Sequence, residues 1–226
     1  MTTTAQSYKR TSQLAALSAI AGVLMIGTSF GINQGPPMNA DDAQMIAFAQ
    51  THFHQVMIGA WLQAVGPLLI MVFAVTIVSL AAAMKRISGW MTLLGASILM
   101  MVSLSEVVAY ICALDSSPAS MGQIGNNIGH AIQHLYFFIA APSLFLPLGV
   151  VLLGSRVLPR AYGVLAILLG SCFFILGLTS LYNPILSPAV TSFAAIQAFW
   201  WLAAAIALLC RAGRLGELIP LEEVTG

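Results

Sequence analysis

Six runs of mostly apolar residues divide the chain, at roughly 12–32, 55–84, 88–112, 124–154, 161–182 and 189–210. A helix that crosses a bilayer needs about 20 such residues. The pattern therefore predicts an all-α fold, a polytopic transmembrane bundle of six helices forming one integral membrane domain over 1–226, with residues 212–226 as a tail. The second and fourth runs are long enough to tilt or to project beyond the bilayer. Between the first two, "NADDAQMIAFAQ" reads as a short helix with Asn39 as its cap and two aspartates in its first turn, where the helix dipole favours them. It is placed to run on into the second span. Prolines 36, 37, 118, 184 and 188 mark turns in the opposite loops, while Pro67, Pro142 and Pro147 fall inside spans and are expected to kink them.

Basic residues orient the six spans. Lys9 and Arg10 precede the first, Lys85 and Arg86 follow the second, Arg156 and Arg160 follow the fourth, and Arg211 and Arg214 follow the sixth. All eight fall on one side, which the positive-inside rule makes cytoplasmic, with both termini there. Asp41, Asp42 and Asp115 fall on the other side with no Lys or Arg. The apolar run after Arg10 is too long for a secretory h-region and no A-x-A site follows it, so the first span is expected to be a retained helix.

Composition agrees with this picture. Charged residues make up 7% of the chain, against about 25% in an ordinary soluble domain. Hydrophobic residues make up 59%, and the mean hydropathy is +0.94. A net charge of +1 leaves no basic field to draw nucleic acid. Cys112, Cys172 and Cys210 are scattered through apolar segments, without the pairing of a disulfide framework or a zinc site.

Against this background the titratable groups inside the spans stand out. Asn126, His130 and His134 recur every four residues and share one helical face. Glu106, on a face with Ser103 and Tyr110, is the one carboxylate within any span and lies at the depth of His134. An ionised carboxylate in hydrocarbon costs at least about 2.5 kcal/mol, so Glu106 is expected to face a partner inside the bundle or to be protonated. His52 and His54 open the second span about 200° apart, and His52, in line with Gly59, Gln63 and Gly66, is the ring expected to point inward. Gln63 and Gln197 lie nearer the midplane.

These groups predict an outward-opening polar pocket for a neutral or cationic small ligand. Its acid–base pair would be Glu106 and His134, with Asn126, Gln63, Gln197 and Tyr110 as further ligand contacts. Alternatively, His130, His134, His52 and Glu106 would hold a divalent metal ion. Haem suits the site less, because its propionates want Arg or Lys. Two further readings are a membrane enzyme performing an isomerisation or cyclisation on a lipid-soluble substrate, and a proton or cation transporter using the same groups as a relay. Thr76, Thr92 and Ser97 are the few polar groups on a cytoplasmic route, which counts against transport. The plainest alternative is that the polar groups satisfy one another and fix helix packing. The expected partners are the lipid bilayer and a small lipid-soluble or cationic ligand. The aromatic run "AFWWL" at 198–202 fits a packing or lipid-facing surface better than a cofactor box.

The run "SRVLPRAYGVLAILLGSCFFILGL" (155–178) resembles a bacterial family of six-span integral membrane proteins of unknown function. In that family a cytoplasmic Leu/Val-Pro-Arg precedes a Gly-rich fifth span, an acidic residue (here Glu106) lies in the third, and the sixth carries tryptophan. The resemblance implies the six-span architecture and a bacterial cytoplasmic membrane. It implies no activity, and the four histidines are not part of the family's pattern.

Overall fold

The computed structural model describes residues 4–33, 41–114, 119–180 and 187–218. Among them seven α-helices occur: α1 (Thr4–Ile32), α2 (Asp42–Leu80), α3 (Ile87–Leu114), α4 (Ala119–Leu135), α5 (Ala141–Leu153), α6 (Arg160–Ser180) and α7 (Ser187–Leu218). A π turn, Tyr136–Ala140, joins α4 to α5 into one rod. That makes six helical rods long and apolar enough to cross a bilayer, each matching one of the six apolar runs. Asn39, Asp115 and prolines 36, 37, 118 and 184 lie outside the described residues, as does the tail from 219 onward.

Local chemistry explains where the rods begin and stop. The short helix expected after residue 39 is the first part of α2. Its cap is Asp41, whose side chain accepts from the Gln44 backbone at 2.8 Å while the Gln44 side chain accepts from the Asp41 backbone N–H. This reciprocal box satisfies two of the donors that a helix start leaves open. At its far end α2 stops because Ala82 turns into the left-handed region at φ 49° and ψ 31°. A single 3-10 turn, Ala83–Lys85, then leads into α3. With 39 residues at about 1.5 Å each, α2 is about 58 Å long, far more than the roughly 30 Å of a hydrocarbon core.

The rods pack mainly as chain neighbours. α1 lies between α2 and α7, α3 contacts α2, α4 and α5, and α6 lies along α5. Aromatic side chains fill the centre. Phe145 of α5 meets Trp200 and Trp201 of α7 with ring centroids 5.2 Å away in each case, and Phe73 of α2 sits edge-on to Trp201 at 5.9 Å. Such pairs add about 0.5–1.5 kcal/mol beyond the area they bury. The aromatic run of α7 is thus divided: Trp200 and Trp201 are core, while Phe199 is 72% exposed on the outer surface. That outer surface is itself greasy, with Leu14, Leu24, Trp61, Trp90 and Phe199 all open. A patch of this kind is foreign to a monomer in water and ordinary against lipid tails.

Around Pro142 the fourth rod departs from α geometry. Proline has no N–H to give and crowds the carbonyl four residues back, and the π turn lies immediately before it. The wide turn reaches α6 at Gly177, where a methyl group would come within 2.6 Å of the Phe138 Cα. Only glycine lets the two backbones meet there.

One end of the bundle gathers the cations. Arg86 at the start of α3 donates to the Gly154 carbonyl at the end of α5, at 3.5 Å, and Arg211 of α7 donates to the Arg156 carbonyl at 3.2 Å. Arg10 of α1 and Leu209 of α7 border one groove at this end. A second, smaller apolar cluster of Ala49, Val56 and Leu114 lies at the opposite end, where α2 and α3 continue past the main core.

Candidate functional site

Most hydroxyls within the spans turn back onto their own helix. Ser18, Thr76, Thr92, Ser97 and Ser105 each donate to a carbonyl three or four residues earlier. Against that habit, α1, α2 and α3 share a polar seam. Gln63 of α2 donates through Nε2 to Glu106 Oε2 of α3 at 2.8 Å. Ser103, one turn before Glu106, donates to the Gln63 carbonyl at 2.9 Å. Ser29 of α1 points its hydroxyl at the Gly59 carbonyl, 2.9 Å away, and at Gln63 Oε1, 3.2 Å away. Having one proton, it serves one acceptor at a time. Tyr110 donates to Glu106 Oε1 at 3.3 Å.

All the inner members of the seam are buried: Ser29 is 1% exposed, Gln63 4%, Ser103 5% and Glu106 9%. Gln63 is thereby oriented, since its amide nitrogen faces a carboxylate and its oxygen faces a hydroxyl. Asn33, just past the end of α1, donates to Ser29 at 3.5 Å and rests directly against Gly59, where any side chain would displace it. Its Oδ1 is buried and has no hydrogen bond among the described residues.

Gln197 is buried as well, but on a different partner. It accepts the Tyr136 hydroxyl at the start of the π turn. No hydrogen bond among the described residues joins the Tyr136–Gln197 pair to Gln63.

Two histidines stand on α2. His52 is half-buried and His54 exposed, the order expected of them. His52, however, stacks on Phe48 at 4.6 Å, and its Nδ1 lies 3.2 Å from the Phe48 carbonyl on the same helix. Eleven residues separate it from Gln63, so it stands about 16 Å further along α2.

On α4 the register is set by Gly129, where a Cβ would stand 3.8 Å from the Ala109 Cβ of α3. Three residues on from Gly129 and three back from Ala109, Ile132 and Glu106 come level, and Ile132 is buried. His134, two residues beyond Ile132, leaves α4 about 200° round on an exposed flank at the depth of Glu106. Asn126 and His130 occupy backbone positions on α4, and their side chains lie outside the described ones. Among the described residues no group of three His, Cys, Asp or Glu side chains is placed to hold a metal ion.

Ser29 is the member of the seam that sequence reasoning missed. Its neighbour at i+4, Asn33, was the available signal, because two polar residues one turn apart at the end of an apolar run mark a face that is not lipid-facing.

Six apolar rods that bury a polar seam and show a greasy exterior define a multi-pass membrane protein. Comparison with protein-family models, with curated proteins and with solved structures gives no match.

Proposed function

We propose that the chain is a multi-pass protein of a bacterial cytoplasmic membrane, with both termini in the cytoplasm, and that Glu106 is the anchor of a small-molecule site facing away from the cytoplasm. The ligand carries a protonated amine or a neutral hydrogen-bond donor. One observation carries this reading. Glu106 is a buried carboxylate that accepts from Gln63 and from Tyr110, at an end of the bundle where no Lys or Arg stands among the described residues.

Depth supports it. Glu106 lies 19 residues after the start of α3, so about 28 Å from the basic end. In a hydrocarbon layer about 30 Å thick this brings it almost to the far surface. A carboxylate there is within reach of water-borne ligands and avoids most of the cost of the bilayer centre. Positions 130 and 134 share one flank of α4 at about the same level and border the approach. A transport role is less favoured, since Thr76, Thr92 and Ser97 spend their hydroxyls on their own helices along the basic half.

The test is thermal unfolding of detergent-purified protein with n-alkylamines and with alkanols of equal length. Amines are expected to stabilise the native chain, and Glu106→Gln to abolish that effect while the protein remains folded. Equal stabilisation of both chains by amines would overturn the reading.

A further inference from the structure

At the basic end, α1 and α7 leave a groove of about 410 Å³ between them, lined by Arg10, Gln13, Leu14, Leu17 and Leu209. That volume falls within the range of small-ligand sites, about 300–1,000 Å³. Its polarity is graded along the helix. Along α1 the lining runs from Arg10 and Gln13 to Leu14 and Leu17, and Leu209 faces them from α7. From Arg10 to Leu17 the groove descends about 10 Å along α1. Leu14 is 69% exposed and Leu17 54%, so no protein side chain among the described residues covers them.

Charge decides what kind of molecule fits. Arg10 is exposed and has no acidic or hydrogen-bonding partner among the described residues, whereas Arg86 and Arg211 at the same end are spent on carbonyls. Lys9 precedes it directly. A guanidinium offers a planar fork that matches the oxygens of a phosphate, and basic pockets between membrane helices on the cytoplasmic side suit anionic headgroups. A soluble anion would use the mouth and leave the leucine walls bare. A neutral lipid would use the walls and leave Arg10 unpaired.

We propose that the α1–α7 groove holds one anionic phospholipid, its phosphate on Arg10 and the upper part of one acyl chain between Leu14, Leu17 and Leu209. Gln13, one turn below Arg10, is placed to donate to the glycerol ester region. The inference depends on the six rods lying in a bilayer and is independent of any ligand at Glu106.

Native mass spectrometry of the full chain, delipidated in detergent, tests it. Phosphatidylglycerol is expected to be retained at least fivefold better than phosphatidylcholine of the same chains. Arg10→Gln should reduce that preference to about twofold or less, and Arg10→Lys should keep part of it. Leu17→Trp, which fills the groove, should lower retention of phosphatidylglycerol without changing the charge at the mouth. Equal retention of both lipids, or an unchanged preference in Arg10→Gln, would overturn the proposal. So would competition by inorganic phosphate at millimolar concentration, which would mark an ion site, or dimerisation in place of lipid adducts, which would make a second copy the occupant.

Discussion

Gln63 Nε2 and Glu106 Oε2 stand 2.8 Å apart across the α2–α3 interface, 43 residues apart in the chain. The pair ties two helices where each carries a side chain that lipid will not take. Gln63 also meets the Ser29 hydroxyl and, through its backbone, Ser103, so α1 joins the same seam. Stability and ligand chemistry are therefore concentrated on the same few atoms.

Removing the acceptor separates the roles of shape and charge. In Glu106→Leu the Gln63 amide and the Tyr110 hydroxyl lose their acceptor, and each buried orphan costs about 1–3 kcal/mol. Glu106→Gln keeps an acceptor oxygen in place and is expected to lose less than half as much. Thermal unfolding in detergent compares the two. Equal losses would mean that the side chain is held by packing alone.

Gly177→Ala is expected to destabilise the protein by roughly 1–3 kcal/mol, because the added methyl meets backbone at Phe138 and neither helix can yield by a rotamer change. The same substitution at Gly27 or Gly31, where nothing lies within 4 Å, serves as the control and should be neutral or slightly stabilising, since alanine favours helix. The checking measurement is again the unfolding midpoint, read beside yield in the membrane fraction.

Ala82 is the one non-glycine residue with positive φ among the described residues. An L side chain in this conformation costs roughly 1–2 kcal/mol, of which the greater freedom of glycine in the unfolded chain takes back part. Ala82→Gly should raise stability by about 0.5–1 kcal/mol. A shift of the unfolding midpoint upward by a few degrees would show it.

The spans were legible in the sequence because each is a long apolar run, and apolarity over 20 residues has few other uses. Glu106 was equally plain, since a lone carboxylate in such a run must find company. Its company was harder to read. Gln63 could be placed at a suitable depth, but Ser29 looks like Ser18 or Ser105, which bond their own helix. What distinguishes Ser29 is the approach of α2 at Gly59, a tertiary event. The cap of α2 moved by two residues, from Asn39 to Asp41, because Gln44 completes the reciprocal box only with Asp41.

For the histidines, periodicity put positions 130 and 134 on a common face without saying which way that face looks. The structure adds the α3–α4 register, through the approach of Gly129 to Ala109 and the burial of Ile132, and the exposure of His134. The stacking of His52 on Phe48, four residues earlier on the same helix, was open to periodicity as well, since residues four apart lie on one face.

The wide turn at Tyr136–Ala140 sets the azimuth of everything before it. One surplus residue corresponds to about 100° of rotation at 3.6 residues per turn, so α4 is dialled by that angle relative to an uninterrupted continuation of α5. Excising a single residue between 136 and 140 would wind the rod back to regular pitch and swing the flank bearing positions 130 and 134 through more than a quarter circle. The compass bearing of the far half of this rod is thus stored in one irregular loop of backbone, locked by a glycine on its neighbour.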